Sequence, residues 1–194
     1  MARVKSEAVR EAILSAATTE FSEKGYLKTT VNTIAKGAGT APSNVYVYFA
    51  SKLEIVLAIY EPWFKDKILE LEKAVARKKT AEQKIFCLVE GLLRDIADDE
   101  TGYTATLIAA LATATPPDGY RPDLLLWAEE RIGAMINEAF PGNGKDRRVP
   151  SLARLLMLVF DGVAVRSNLK QNIGTTNAML TLVSQVVASD FRGA

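Results

Sequence analysis

Seven basic side chains fall within the first 52 of this chain's 194 residues: Arg3, Lys5, Arg10, Lys24, Lys28, Lys36 and Lys52. Only Glu7, Glu11, Glu20 and Glu23 oppose them there, and the rest of the chain has an acidic excess that brings the whole to +1. A positive end on a near-neutral molecule suits local contact with phosphates, not the general adhesion of a basic protein. In the same stretch Ser43, Asn44, Tyr46, Val47 and Tyr48 set hydroxyls, an amide and apolar edges almost consecutively. An asparagine amide can pair with adenine, and small apolar groups such as Ala41 and Pro42 can meet a thymine methyl. The missing chemistry is equally informative. There is no histidine and a single cysteine, Cys87. Nucleophilic triads that need histidine are therefore excluded, as are an internal disulfide and a zinc site built from Cys and His. No glycine-rich phosphate loop is present, so neither a metal nor a cofactor is expected.

A helix that enters a major groove must be held at a fixed angle by a second helix. The hydrophobic spacing supplies both. Val9, Ile13, Ala17 and Phe21 recur every four residues, which predicts a first helix ended by Gly25. Thr30 is the natural N-cap of a short helix over 31–36, Gly37-Ala38-Gly39 breaks it, and a third short helix over 42–48 begins with a proline in its first turn. Ile34 and Ala35 are sized to pack beneath that helix, and Val45 and Phe49 to anchor it, which makes a helix-turn-helix.

Beyond it, Ser51 to Glu54 is a capping box that opens a long helix to about Arg77, with Pro62 expected to bend it. Thr80 to Gln83 is a second box opening a helix to about Asp98. Helices over 103–114, 124–140, 151–169 and 176–191 complete a set of about nine, separated by Pro116-Pro117 and by Pro141-Gly142-Asn143-Gly144. The fold class is all-α: an N-terminal three-helix helix-turn-helix domain over 1–50 and a larger helical domain over 51–194. The longest strongly apolar run, Leu155 to Val165, is interrupted by Asp161 and is shorter than the roughly 20 residues of a membrane span. Glutamates interrupt the N-terminus where a secretory signal would be continuous. A cytoplasmic protein without membrane association is expected.

The run Thr29-Thr30-Val31, then Ile34-Ala35, Ala38-Gly39, Asn44-Val45-Tyr46-Val47-Tyr48-Phe49 and Ser51-Lys52 resembles the DNA-binding domain of the bacterial TetR family. So does the upstream segment from Ile13 to Ala17 and from Phe21 to Tyr26. The resemblance covers about the first quarter of the chain; the remainder is similar only in helix number and length. It implies that Thr30, Tyr46 and Lys52 contact phosphates, and that Thr40, Ala41, Pro42, Ser43 and Asn44 approach bases of double-stranded DNA. Tyr48 stays open between a DNA contact and a core aromatic, and Arg3 and Lys5 between a tail and an arm, the tail being favoured. Two positions depart from the family pattern. Ala41-Pro42-Ser43 stands where Ser-Lys-Gly is common, which removes a lysine from the first turn of the recognition helix. Asn32 stands where an arginine or another polar residue is common.

For the larger domain the resemblance implies ligand binding and dimerisation. Trp63, Phe86, Tyr103, Leu107, Trp127 and Phe160 are the candidates to line a pocket for a small, largely apolar effector, with plain hydrophobic core the favoured reading of any one of them. Asp95, Asp98, Asp99 and Glu100 can attract a cation, although a solvated helix end is favoured. The segment from Leu152 to Phe160 is apolar nearly all round and so must be buried on more than one side. A homodimer through the last two helices, as in the family, would bury it. The expected function is a ligand-responsive regulator, in the first instance a repressor, that binds a palindromic operator as a dimer. The alternative is an all-helical carrier or enzyme without DNA binding.

Overall fold

The computed structural model describes residues 6–97, 99, 101–115, 118, 120, 122–141, 148–168, 176–189 and 191. Among these residues there are nine α-helices and no strand: α1 Glu7–Lys28, α2 Val31–Gly37, α3 Pro42–Tyr48, α4 Lys52–Ala76, α5 Ala81–Glu90, α6 Tyr103–Ala112, α7 Asp123–Ala139, α8 Arg148–Asn168 and α9 Asn177–Ser189. Arg3 and Lys5, Asp98 and Glu100, the Pro116-Pro117 break and residues 142–144 of the expected loop lie outside the described set. No described helix is long and apolar enough to cross a membrane.

Compactness divides the chain into two units, Met1–Pro62 with Thr101–Arg121, and Trp63–Glu100 with Pro122–Ala194. The expected boundary at residue 51 is not marked by a change in helix length, since α1 has 22 residues and α5 and α6 have 10 each. The compact head also takes in the first part of α4 and the whole of α6. The two units part at Pro62-Trp63, inside α4.

In the head, Ile13, Ala17 and Phe21 of α1 meet Ile34 and Ala35 of α2, Val45 and Phe49 around α3, and Leu53, Ile55 and Val56 of α4 in one buried cluster that Ala110 of α6 completes. Helices of seven residues, as α2 and α3 are, do not persist alone in water. Each large apolar side chain buried here contributes about 1.5–3 kcal/mol, and that packing holds them. Helix α1 does not stop at Gly25. Gly25 breaks the helical path at φ 72 and a last turn continues to Lys28. The two glycines of the turn between α2 and α3 do different jobs. Gly37 lets α2 approach α1, since an added Cβ would lie 3.1 Å from that of Ala16, whereas Gly39 takes the left-handed backbone, at φ 64.

In the second unit α7 packs on α8, and α5 on both α7 and α9. The expected capping box forms at Thr80: the Gln83 amide donates to Thr80 Oγ1 at 3.2 Å, and Gln83 Oε1 accepts from the Thr80 amide. Helix α5 does not run unchanged to residue 98. From Gly91 to Ile96 the chain is π-helical, and the Ala97 amide donates to the Leu92 carbonyl five residues back. Helix α8 turns Leu152, Leu156, Met157 and Phe160 inward while leaving Leu155 and Leu158 exposed.

Candidate nucleic-acid interface

Packing of Val45 and Phe49 into the head leaves the opposite side of α3 to solvent. Ala41, Pro42 and Ser43 are exposed, Tyr46 is 56% exposed, and Val47 is also outside. Asn44 is half-buried, and its Nδ2 donates to Thr40 Oγ1 at 2.7 Å. That bond fixes the amide plane, leaving its oxygen and one N–H to face a base. Thr40 is itself half-buried, held by a backbone bond from its amide to the Ala35 carbonyl.

Tyr48 has a different role. Its ring packs against the head's core, and its hydroxyl accepts from the Ser6 amide at 3.0 Å, beside the start of α1. It therefore ties α3 to α1.

Thr30 is exposed at the start of α2. Its Oγ1 accepts from the Thr33 amide, and Thr33 Oγ1 accepts from the Thr30 amide, both at 3.2 Å. Each threonine thus caps a donor of the first turn that would otherwise be unpaired. Lys28 and Lys36 are exposed at either side of this element, with Leu27 70% exposed next to Lys28.

Lys52 turns inward. Its ammonium donates to the carbonyls of Tyr26 at 2.8 Å and Thr29 at 2.9 Å, and lies 3.9 Å from the centre of the Tyr26 ring. Burial pushes its pKa below the ordinary lysine value. Two of its three donors are engaged there, so one remains for a phosphate. Thr29, which the sequence did not single out, is buried in the same knot. Its hydroxyl shares its single proton between the carbonyls of Glu20 and Gly25, at 3.0 and 2.9 Å, and its amide also donates to the Gly25 carbonyl. Around the break in α1, Thr29 and Lys52 thus supply donors to carbonyls of its last turns. The available signal was a hydroxyl residue four positions after a glycine in the last turns of the helix.

The head is thus a rigid support for one outward-facing short helix, flanked by lysines and hydroxyls. Residues 13–59 match the family model of the bacterial regulatory proteins of the tetR family. The matched stretch, about a quarter of the chain, is similar to the DNA-binding part of that family. A fatty acid metabolism regulator protein of Bacillus subtilis is 30% identical to this chain over 87 residues, a match that covers 45% of each protein. An uncharacterised HTH-type transcriptional regulator of Mycobacterium bovis is 26% identical over 168 residues, covering 84% of this chain and 72% of that protein. The crystal structure of the transcriptional regulator FadR from Bacillus subtilis in complex with stearoyl-CoA aligns with a TM-score of 0.62 at 19% identity, over 95% of this chain and 99% of the other, and shows the shared fold. TetR-family proteins are transcription regulators and not enzymes, so the enzyme alternative is set aside.

The six ligand candidates are divided between the units. Tyr103 and Leu107 belong to the head. Leu107 packs half-buried against its core. Tyr103 lines a small cavity of ≈ 20 Å³ with Thr18, Phe21, Val56 and Tyr60, room for about one water. In the second unit Phe160 is buried against Phe64, ring centres 5.9 Å apart, as a core residue. Trp63 and Trp127 are half-buried, the latter with the Lys65 ammonium 5.6 Å from its ring centre. Phe86 is half-buried and lines a cleft between α5 and α9 that the other five do not reach.

Proposed function

We propose that this regulator is a ligand-responsive repressor acting in the cytoplasm. Two copies joined through α8 and α9 would present two α3 helices to successive major grooves of a palindromic operator, about 34–36 Å apart. The observation that carries the reading is the outward face of α3, with Ala41, Pro42, Ser43 and Tyr46 free of the core while Val45 and Phe49 hold the helix in place. Thr30, Tyr46 and the remaining donor of Lys52 are the proposed phosphate contacts. Thr40 and Tyr48 act by positioning, Thr40 through Asn44 and Tyr48 through α1.

Dimerisation is supported by two apolar stripes. Leu155, Leu158 and Val165 are exposed along α8, and Met179, Leu182 and Val186 along α9, with Leu158 and Leu182 each 63% exposed. Gly162, also exposed and with open space around its Cα, would let a second helix come close. Ala164 is buried within the chain and takes no part.

A small, largely apolar effector bound in the second unit would release the operator by favouring the state with lower DNA affinity. The FadR structure with stearoyl-CoA makes a long-chain acyl-CoA the first compound to try. The test is a gel shift on genomic fragments at two salt concentrations, with and without stearoyl-CoA, followed by footprinting. A protected palindrome bound by a dimer supports the reading. If no fragment is retained at any salt concentration, the reading fails.

A further inference from the structure

Helical serines and threonines usually donate to a carbonyl one turn back, and this chain follows the habit. Thr18 donates to Leu14, Thr106 to Gly102, Thr113 to Ala109 and Ser189 to Val186, at 2.8–3.1 Å. Ser184 of α9 does not. It is 8% exposed, and its buried Oγ has no hydrogen-bond partner. A buried hydroxyl left unpaired is uncommon in a folded protein and calls for a cause.

Ser184 lines a cleft of ≈ 230 Å³ between α5 and α9, together with Glu82, Ile85, Phe86, Thr181, Gln185 and Ala188. Ile85, Phe86 and Ala188 make an apolar floor. Ser184 is the polar group within it, and exposed Thr181 and Gln185 form a rim. A few polar groups set in an apolar concavity are the usual make-up of a small-molecule site. We propose that this cleft binds a small uncharged or cationic amphiphile, its apolar body on Ile85 and Phe86 and its single polar group hydrogen-bonded to Ser184. The charge preference follows from the lining, in which Glu82 is the ionisable residue. Arg77, Lys78 and Lys79 line an adjoining cleft that shares Glu82 and Phe86.

The site stays open whatever covers the apolar stripe of α9. At 100° per residue, Thr181, Ser184, Gln185 and Ala188 centre roughly 150° from Met179, Leu182 and Val186. Nothing in the site depends on DNA binding, so it stands or falls apart from the operator.

Amide NMR of the full chain titrated with benzyl alcohol, and separately with benzoate, tests the site. Saturable shifts confined to residues 82–86 and 181–188 are expected from benzyl alcohol, with weaker binding of benzoate. Ser184→Ala should weaken benzyl alcohol by roughly three- to tenfold, the loss of one hydrogen bond. It should leave the thermal midpoint no lower, because the hydroxyl it removes has no partner. Thr181→Phe, a change at the exposed rim, should fill the mouth and abolish binding without disturbing the core. The proposal is overturned if the shifts lie elsewhere or do not saturate, if benzoate binds the cleft more tightly, or if both variants bind like the parent.

Discussion

The head and the second unit each have an apolar core, but they differ in what is added to it. In the head, single polar atoms fix the geometry beside the core: Lys52 Nζ on two carbonyls, Thr29 Oγ1 between two others, Tyr48 hydroxyl on the Ser6 amide. In the second unit, filled volume is the more prominent support. Phe64 meets Phe160, and Phe140 stacks on Phe191 with ring centres 4.3 Å apart. Hydrogen bonds have direction and apolar contacts have little. A surface that must match a groove therefore benefits from the first kind of support, while a body that must accept a ligand or a second copy can use the second. The ion pair Arg154–Glu129, with its exposed arginine, contributes little to the second unit, while Arg131–Glu72 and Lys84–Glu138 are partly buried.

The contrast can be broken at its strongest points first. Phe160→Ala should cost about 3–5 kcal/mol of stability, measured by denaturant unfolding, because it empties a packed site. A much smaller loss would mean that the unit collapses around the gap and that volume is not what holds it. Lys52→Met keeps the side chain's length but removes both carbonyl bonds. A loss of about 1.5–3 kcal/mol is expected, the range for hydrogen bonds to a charged group. If stability is unchanged while DNA binding falls, Lys52 works only at the phosphate.

A pH series sharpens the same comparison in the second unit. Burial raises the carboxyl pKa of Asp161 above its ordinary 3.8. The folded value therefore lies above the unfolded one, and the contribution of the protonated form is fully present below 3.8 and fades as pH rises through the raised value. Asp161→Asn should match the parent in acid and become the more stable of the two toward neutrality. Equal stability at both ends would mean that the carboxylate is well solvated. Tyr46→Ala should have the smallest effect on folding, within about 0.5 kcal/mol, because its side chain lies outside. Its effect should appear instead on DNA, as weaker binding by a similar factor across sequences with the salt slope unchanged, because a neutral hydroxyl that bonds a phosphate releases no counterion. Undiminished binding would remove Tyr46 from the phosphate contacts.

Helices and caps were legible because their signals are local. Thr80 to Gln83, the apolar repeat from Val9 to Phe21, and the glycines around Ala38 each act over a few residues. The scaffold of the head could be read for the same reason: Ile34, Ala35, Val45 and Phe49 are all buried. The features that escaped depend on distance along the chain. Lys52 bonds to carbonyls 23 and 26 positions away, and α6 joins the head after an excursion of some forty residues through the second unit. Position in the sequence places Tyr103 and Leu107 in the larger domain, whereas by packing they belong to the head. Continuous helical periodicity likewise hides the π-helical stretch, since Leu92, Leu93 and Ile96 keep a spacing that an ordinary α-helix would also show.

That stretch has a consequence for the evolution of the chain's length. A π turn holds one residue more than an α turn over nearly the same rise. Gly91–Ile96 therefore amounts to a single-residue insertion kept in place, with regular α-helix before it. Removing one residue between 91 and 96 would return the segment to α-helix and leave the residues C-terminal to it in nearly their present orientation, whereas the same deletion in a regular helix would rotate them by about 100°. Ala97, which is buried, would keep its present surroundings. In this part of the molecule a one-residue deletion should therefore be better tolerated than in the α-helical turns of α5 before it.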